Sequence, residues 1–147
     1  MNTLRDELND VISSEKIQDL EFIRMNDWQW IMDKLAGSFL SHGKKSLERI
    51  WLWDSIKEPY KSYQPDDGIG ELKSLLNESE SYWFIASDED GKYWVLEGTG
   101  KALVKVLSET RYFEYYITDK AISWLICENH HGVMVLKGSI ESKRENA

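Results

Sequence analysis

Residues able to do chemistry lie closest together near the C-terminal end of this 147-residue chain. Cys127, Glu128, His130 and His131 bring the only cysteine and two of the three histidines within five residues. Such side chains could ligate a metal ion, or Cys127 could act as a nucleophile beside a histidine. Zinc ligands normally come from separated segments, however, and adjacent histidines on an extended chain point in opposite directions. We therefore expect a hairpin bend in which one imidazole hydrogen-bonds to the loop, with no metal site, catalytic residue or cofactor.

A second chemical motif is Gly98-Thr99-Gly100-Lys101, which lies between a predicted strand and a predicted helix. In a phosphate-binding loop, backbone amides and a lysine hold the phosphates. That motif also requires a glycine at position 95, where valine stands, and a serine or threonine at position 102, where alanine stands. The spacing therefore predicts a tight turn in which Thr99 caps the helix.

Composition excludes several classes of partner. The net charge of −8 opposes binding to nucleic acid or to an anionic membrane surface. Seven tryptophans and seven tyrosines could stack on bases, but such platforms carry basic flanks, which are missing here. No apolar run reaches 18 residues, the N-terminus lacks a signal-peptide pattern, and the lone cysteine fits a reducing compartment. We expect a cytoplasmic protein with no membrane contact.

The elements that must position these residues form one α+β domain over 1–147. N-terminal helices precede a mainly antiparallel sheet, and one helix packs across that sheet. Thr3, Asn26 and Thr99 are the candidate N-caps of three helices, and a short fourth helix follows Gly68. Strands are expected at 50–53, 82–86, 93–96, 112–117, 122–127 and 133–136. The polar tail 139–147 is expected to fray.

Charge is distributed unevenly along the chain. Residues 58–91 contain nine acids and only two lysines, which accounts for nearly all of the net charge. Because 66–71 and 88–90 are predicted loops, their carboxylates would give a surface of one sign that attracts a basic partner. The simpler interpretation is that these acids only keep the protein soluble. The candidate partner-binding residues are Asp66, Asp67, Glu71, Asp88, Glu89 and Asp90, with Tyr60 and Tyr63 as aromatic anchors.

The segments Phe113-Glu114-Tyr115-Tyr116-Ile117 and Trp124-Leu125-Ile126-Cys127-Glu128-Asn129-His130-His131 resemble a family of small bacterial proteins. The likeness covers about residues 81–138. The chain is also loosely similar to immunity proteins of polymorphic toxin systems, including LXG-type and SUKH-like ones. The Leu-Pro and Asn-Gly pattern common in SUKH-like proteins is absent at Leu75–Ser79, and no family binding residue corresponds to a position here.

This resemblance implies a non-enzymatic, cytoplasmic antitoxin whose partner is the C-terminal effector domain of a toxin, such as a nuclease. A nuclease needs a basic groove for its substrate, so an inhibitor of that groove gains from an acidic surface. The alternative function is an adaptor or regulatory module that binds another cytoplasmic protein. An enzyme that uses Cys127 or the His130–His131 turn is a third hypothesis.

Overall fold

The fold is that of a computed structural model, which describes residues 3–43, 45, 52–88, 92–129 and 131–145. Its helices are α1 Leu4–Ser14, α2 Met25–Phe39, α3 Gly68–Leu75, α4 Gly100–Glu109 and α5 Ile140–Glu145. Its strands are β1 Leu20–Phe22, β2 Lys61–Tyr63, β3 Ser81–Ser87, β4 Tyr93–Thr99, β5 Glu114–Asp119, β6 Trp124–Glu128 and β7 Met134–Gly138. The predicted α+β class is confirmed.

The seven strands form one antiparallel sheet in the order β1-β4-β3-β5-β6-β7-β2. The central strands are apolar on both faces because helices cover both sides. Alternate side chains such as Phe84 and Ile85 enter different cores. One core lies between the sheet and α1, α3, α4 and α5, and the other lies between the sheet and α2 with its following segment.

Polar side chains define where three of the helices begin. Thr3 and Asp6 form a capping box at the start of α1. Asp67 caps α3 by accepting from the amide of Ile69, and Thr99 caps α4 by accepting from the amide of Ala102. The predicted roles of Thr3 and Thr99 are therefore confirmed.

Three predicted local features are wrong, and two of them lie in the first half of the chain. Helix α2 begins at Met25 with Arg24 as its N-cap residue, rather than with Asn26 as the cap. Residues 52 and 53 belong to a 3₁₀ turn, Leu52–Ser55, and not to a strand, because Leu52 is buried under the sheet while the Trp53 amide donates to the Tyr116 hydroxyl at 3.0 Å. Residues 50 and 51 of that predicted strand lie outside the described residues.

The third difference is in the polar C-terminal segment. Residues 140–145 form helix α5 instead of a frayed tail. Ile140 is buried in the core shared with α1, α3 and α4, and the Lys143 ammonium donates to the carbonyl of Leu75 at 2.6 Å. The Gly138 amide of β7 also donates to the Glu141 carboxylate at 3.2 Å, so apolar packing and polar bonds together attach this short helix to the domain.

Candidate functional site

The register of the sheet brings distant segments of the chain to one end. Ser87 pairs with both Tyr93 and Glu114, Glu128 pairs with Met134, and Met134 pairs with Tyr63. The β3–β4 turn, the start of β5, the β6–β7 loop and the end of β2 are therefore neighbours. Asp66, Asp67 and Glu71 follow β2 here, and Asp88 follows β3. We call this region, with Glu128, the acidic end.

The predicted acids of the acidic end also have structural contacts. Asp67 caps α3, with its Oδ1 3.1 Å from the Ile69 amide. Glu71 accepts from the Tyr63 hydroxyl at 2.8 Å, and Asp88 accepts from the Leu4 amide at 3.2 Å. Each of these donors is neutral, so the bonds leave the carboxylate charge in place. Asp66 is exposed, and Glu89 and Asp90 lie outside the described residues.

The two predicted aromatic anchors differ in accessibility. Tyr60 is 39% exposed just before β2. Tyr63 is half-buried, packs against the core and donates its hydroxyl to Glu71. Tyr60 is therefore the one whose ring is available to a partner, whereas Tyr63 positions a carboxylate.

The structure adds an aromatic residue that sequence reasoning did not select. Tyr112 is 49% exposed at a cleft of about 200 Å³ between the start of α3 and the end of α4. The cleft is lined by Asp67, Gly68, Ile69, Leu107, Thr110, Arg111, Tyr112, Phe113, Tyr115 and Glu128. We call it the Tyr112 cleft. Its sequence signal was an aromatic residue at the beginning of a predicted strand, which is equally typical of a core position.

Glu128 is held in place on the wall of the Tyr112 cleft. Its Oε1 accepts from the Tyr115 hydroxyl at 2.7 Å, and its Oε2 lies so close to Gly68 that a Cβ there would be 2.8 Å away. Burial, reinforced by the Glu128 charge, raises the pKa of Tyr115 well above its ordinary value. Tyr115 therefore stays a neutral donor, and the Glu128 carboxylate lies beside the first turn of α3, which favours an anion.

On the other face of the sheet, the buried carboxylate of Glu114 lies at the acidic end. Glu114 is only 4% exposed and accepts from the Tyr116 hydroxyl at 2.7 Å. That hydroxyl in turn accepts from the Trp53 amide, which fixes the 52–55 turn on the sheet. Burial, together with Cys127 and Glu114, raises the pKa of Tyr116 well above its ordinary value. The arrangement is that of a satisfied structural network.

The cysteine and histidine segment is built as a hairpin loop. Cys127 is fully buried, and burial raises its pKa well above the ordinary value, which keeps the thiol protonated and weakly nucleophilic. The side chain that holds the loop is Asn129, whose Oδ1 accepts from the amides of His131 and Val133. His130 lies outside the described residues, and the expected bond between an imidazole and the loop stays a prediction. Within the described part of the chain, no three potential metal ligands converge.

The amides of the Gly98–Lys101 turn are already occupied and cannot hold a phosphate. The amides of Gly100 and Lys101 donate to the carbonyls of Glu80 and Glu78, and the Ala102 amide donates to Thr99. Gly100 is required because a Cβ there would overlap the Asn77 carbonyl. The glycines serve close backbone packing in the tight turn that the sequence analysis predicted.

Comparison with known proteins places the chain in a family. A model described as a family of unknown function, DUF6756, matches residues 1–147, so the chain belongs to this family. Searches of curated proteins and of solved structures give no match. Among the described residues, no helix combines the length and apolar character needed to cross a membrane.

Proposed function

We propose that this member of the DUF6756 family is a non-enzymatic, cytoplasmic immunity protein that binds and blocks a basic toxin effector domain, such as a nuclease. The observation that carries the proposal is the convergence of separate acid-bearing segments at the acidic end. Asp66 and Asp67 lie before α3 and Glu71 lies in its first turn, so the predicted 66–71 loop ends at Asp67. Asp88 follows β3, and Glu128 is the last residue of β6. The resemblance to immunity proteins supports the same role.

Electrostatics gives this arrangement a physical use. A nuclease groove is basic because it must hold phosphates, so clustered carboxylates are its natural complement. The bonds from Ile69, Tyr63 and Tyr115 orient the acids without neutralising them. Tyr112 lies among them, and an exposed tyrosine surrounded by polar groups is a typical anchor of a protein interface.

Two matched triple variants test the acidic end. Asp66→Asn, Glu71→Gln and Glu128→Gln remove three charges while the new amides still accept the bonds of Tyr63 and Tyr115. The control carries Glu21→Gln, Glu78→Gln and Glu80→Gln near the opposite end of the sheet. The amide oxygen introduced at position 80 can still accept the bond that Glu80 receives from the Tyr82 hydroxyl. Both variants change the net charge equally.

The assay co-expresses each variant with the effector domain encoded beside its gene and follows growth. The wild type and the control triple should protect the cell, whereas the acidic-end triple should not. In solution, the acidic-end triple should associate at least about tenfold more slowly at low salt, with a flatter salt dependence. If both triple variants associated equally slowly, net charge alone would explain the effect. If neither associated more slowly than the wild type, the acidic end would not be part of the interface.

The same experiment separates the alternative function. An adaptor or regulatory module would use the acidic end to bind a cytoplasmic protein that is not toxic. Its complex would show the same charge dependence, but the wild type would give no protection from any neighbouring effector.

A further inference from the structure

A notch of about 300 Å³ opens at the edge of the sheet where β1 ends against β4. Strand β1 pairs with β4 only over Leu96–Gly98, and one further bond joins the Ile23 amide to the Val95 carbonyl at 2.8 Å. The chain then turns into α2, and Tyr93 and Trp94 lie beyond this pairing. Its lining includes Arg5, Phe22, Arg24, Trp28, Tyr93 and Trp94. We call it the arginine notch.

Two cations at the arginine notch are available to a ligand. The Arg5 guanidinium carbon lies 4.4 Å from the centroid of the Phe22 ring and 5.6 Å from that of Trp94, so the rings orient it. Arg24 is exposed at the N-cap of α2 and makes no side-chain cap bond. In the part of the chain that the structure describes, neither guanidinium has a carboxylate within 4.0 Å. This stands out in a chain with a net charge of −8.

The remaining walls of the notch are aromatic. Phe22, Trp28, Tyr93 and Trp94 are all half-buried, so each is fixed by packing on one side. The Trp94 indole N–H is also buried without an acceptor among the described residues. Flat apolar walls with a few polar groups are the usual form of a small-molecule site.

We propose that the arginine notch binds a small aromatic anion, a planar ring that carries a carboxylate or a phosphate. The ring lies against Trp28 and Tyr93, which pack on the same side of the sheet. The anion is held by the guanidiniums of Arg5 and Arg24, whose planar forks match both acids. The start of α2 adds the partial positive charge of a helix N-terminus. This ligand site is separate from the acidic end and does not depend on the proposed function.

Titrations with two ring-plus-anion probes and two half-probes test the notch. The full probes are adenosine monophosphate and 4-hydroxybenzoate, which distinguish a phosphate from a carboxylate ligand. The half-probes are adenosine and inorganic phosphate. Binding is followed by calorimetry and by the Trp94 indole N–H resonance, which is assigned from its loss in Trp94→Phe.

At least one full probe should bind and shift the Trp94 resonance, with both half-probes at least about tenfold weaker. Arg24→Gln, at an exposed position, should weaken that probe by about tenfold or more. Lys101→Gln, an exposed cation elsewhere on the molecule, should leave it unchanged. The proposal is overturned if neither full probe binds, if phosphate alone binds equally well, or if Arg24→Gln binds like the wild type.

Discussion

The two ends of the sheet carry their charges in different ways. At the acidic end, the carboxylates of Asp67 and Glu128 line the small Tyr112 cleft and accept bonds from the Ile69 amide and the Tyr115 hydroxyl. At the opposite end lies a larger cavity of about 720 Å³, whose lining contains both lysines and acids. Lys105 there lies 3.7 Å from Glu15 and 3.3 Å from Glu109. The lysines and acids of that cavity balance one another, whereas Asp67 and Glu128 outnumber Arg111 at the Tyr112 cleft. We therefore expect the smaller cleft to attract cations more strongly.

Helix N-termini explain part of this difference. Helices α1 and α3 begin at the acidic end and take carboxylates there, Asp6 and Asp88 for α1 and Asp67 for α3. Helix α4 begins at the opposite end, where the main-chain carbonyls of Glu78 and Glu80 accept the hydrogen bonds of its first amides. The acids are thus local caps as well as a shared surface, and experiments must separate the two roles.

Glycine substitutions should show the largest contrast between the ends. Gly100→Ala places a methyl group on the Asn77 main chain, which cannot move aside, and should lower the free energy of unfolding by about 3 kcal/mol. Gly68→Ala meets only the far end of the Glu128 side chain, which can shift by a small distance while it keeps the bond from Tyr115, and should cost less than about 1 kcal/mol. Urea denaturation measures both. Equal losses would mean that the two ends are packed alike.

Alkaline pH should destabilise the protein through tyrosines near the acidic end. Burial, aided by the Glu114 charge, raises the pKa of Tyr93 from 10.0 to about 12. Above pH 10 the unfolded chain therefore loses a proton that the folded protein keeps, so the free energy of unfolding falls from pH 10 to 12. Urea midpoints across this range should fall, and less steeply in Tyr93→Phe. A midpoint independent of pH, or an unchanged slope in the variant, would contradict this assignment.

Adjacent aspartates should separate capping from surface charge. Asp67→Ala removes the cap of α3 and should cost about 1 kcal/mol of unfolding free energy. Asp66→Ala, at an exposed position, should change it by less than about 0.5 kcal/mol. Thermal or urea denaturation distinguishes them. If Asp66→Ala were as costly as Asp67→Ala, the outer carboxylate would also be structural.

Much of the fold was predictable from local pattern. The apolar spacing of Trp28, Ile31, Met32, Leu35 and Phe39 indicated α2, and alternating aromatic runs indicated β3 and β4, because local periodicity and burial agree there. Strands β1 and β2 were missed. Each has three residues and pairs with a strand far along the chain, so neither has enough length to show a pattern.

The candidate site was less predictable for the same reason. Its acid-bearing segments could be recognised one by one, but their meeting at one end depends on strand order and register. Tyr112 and Glu128 joined them only through the packing of α3 against α4 and the sheet. Arg24 was likewise hidden, since its role follows from where α2 begins.

The central claim is that negative potential is concentrated at the acidic end, and it can be measured without any partner. Paramagnetic relaxation of backbone amides is recorded with a cationic and with an anionic nitroxide of the same size. We expect much stronger relaxation by the cationic probe at Asp66–Gly68, Asp88 and Tyr112, with nearly equal relaxation by both probes around Lys73, Glu78 and Lys101. The same ratio at both ends of the sheet would contradict it.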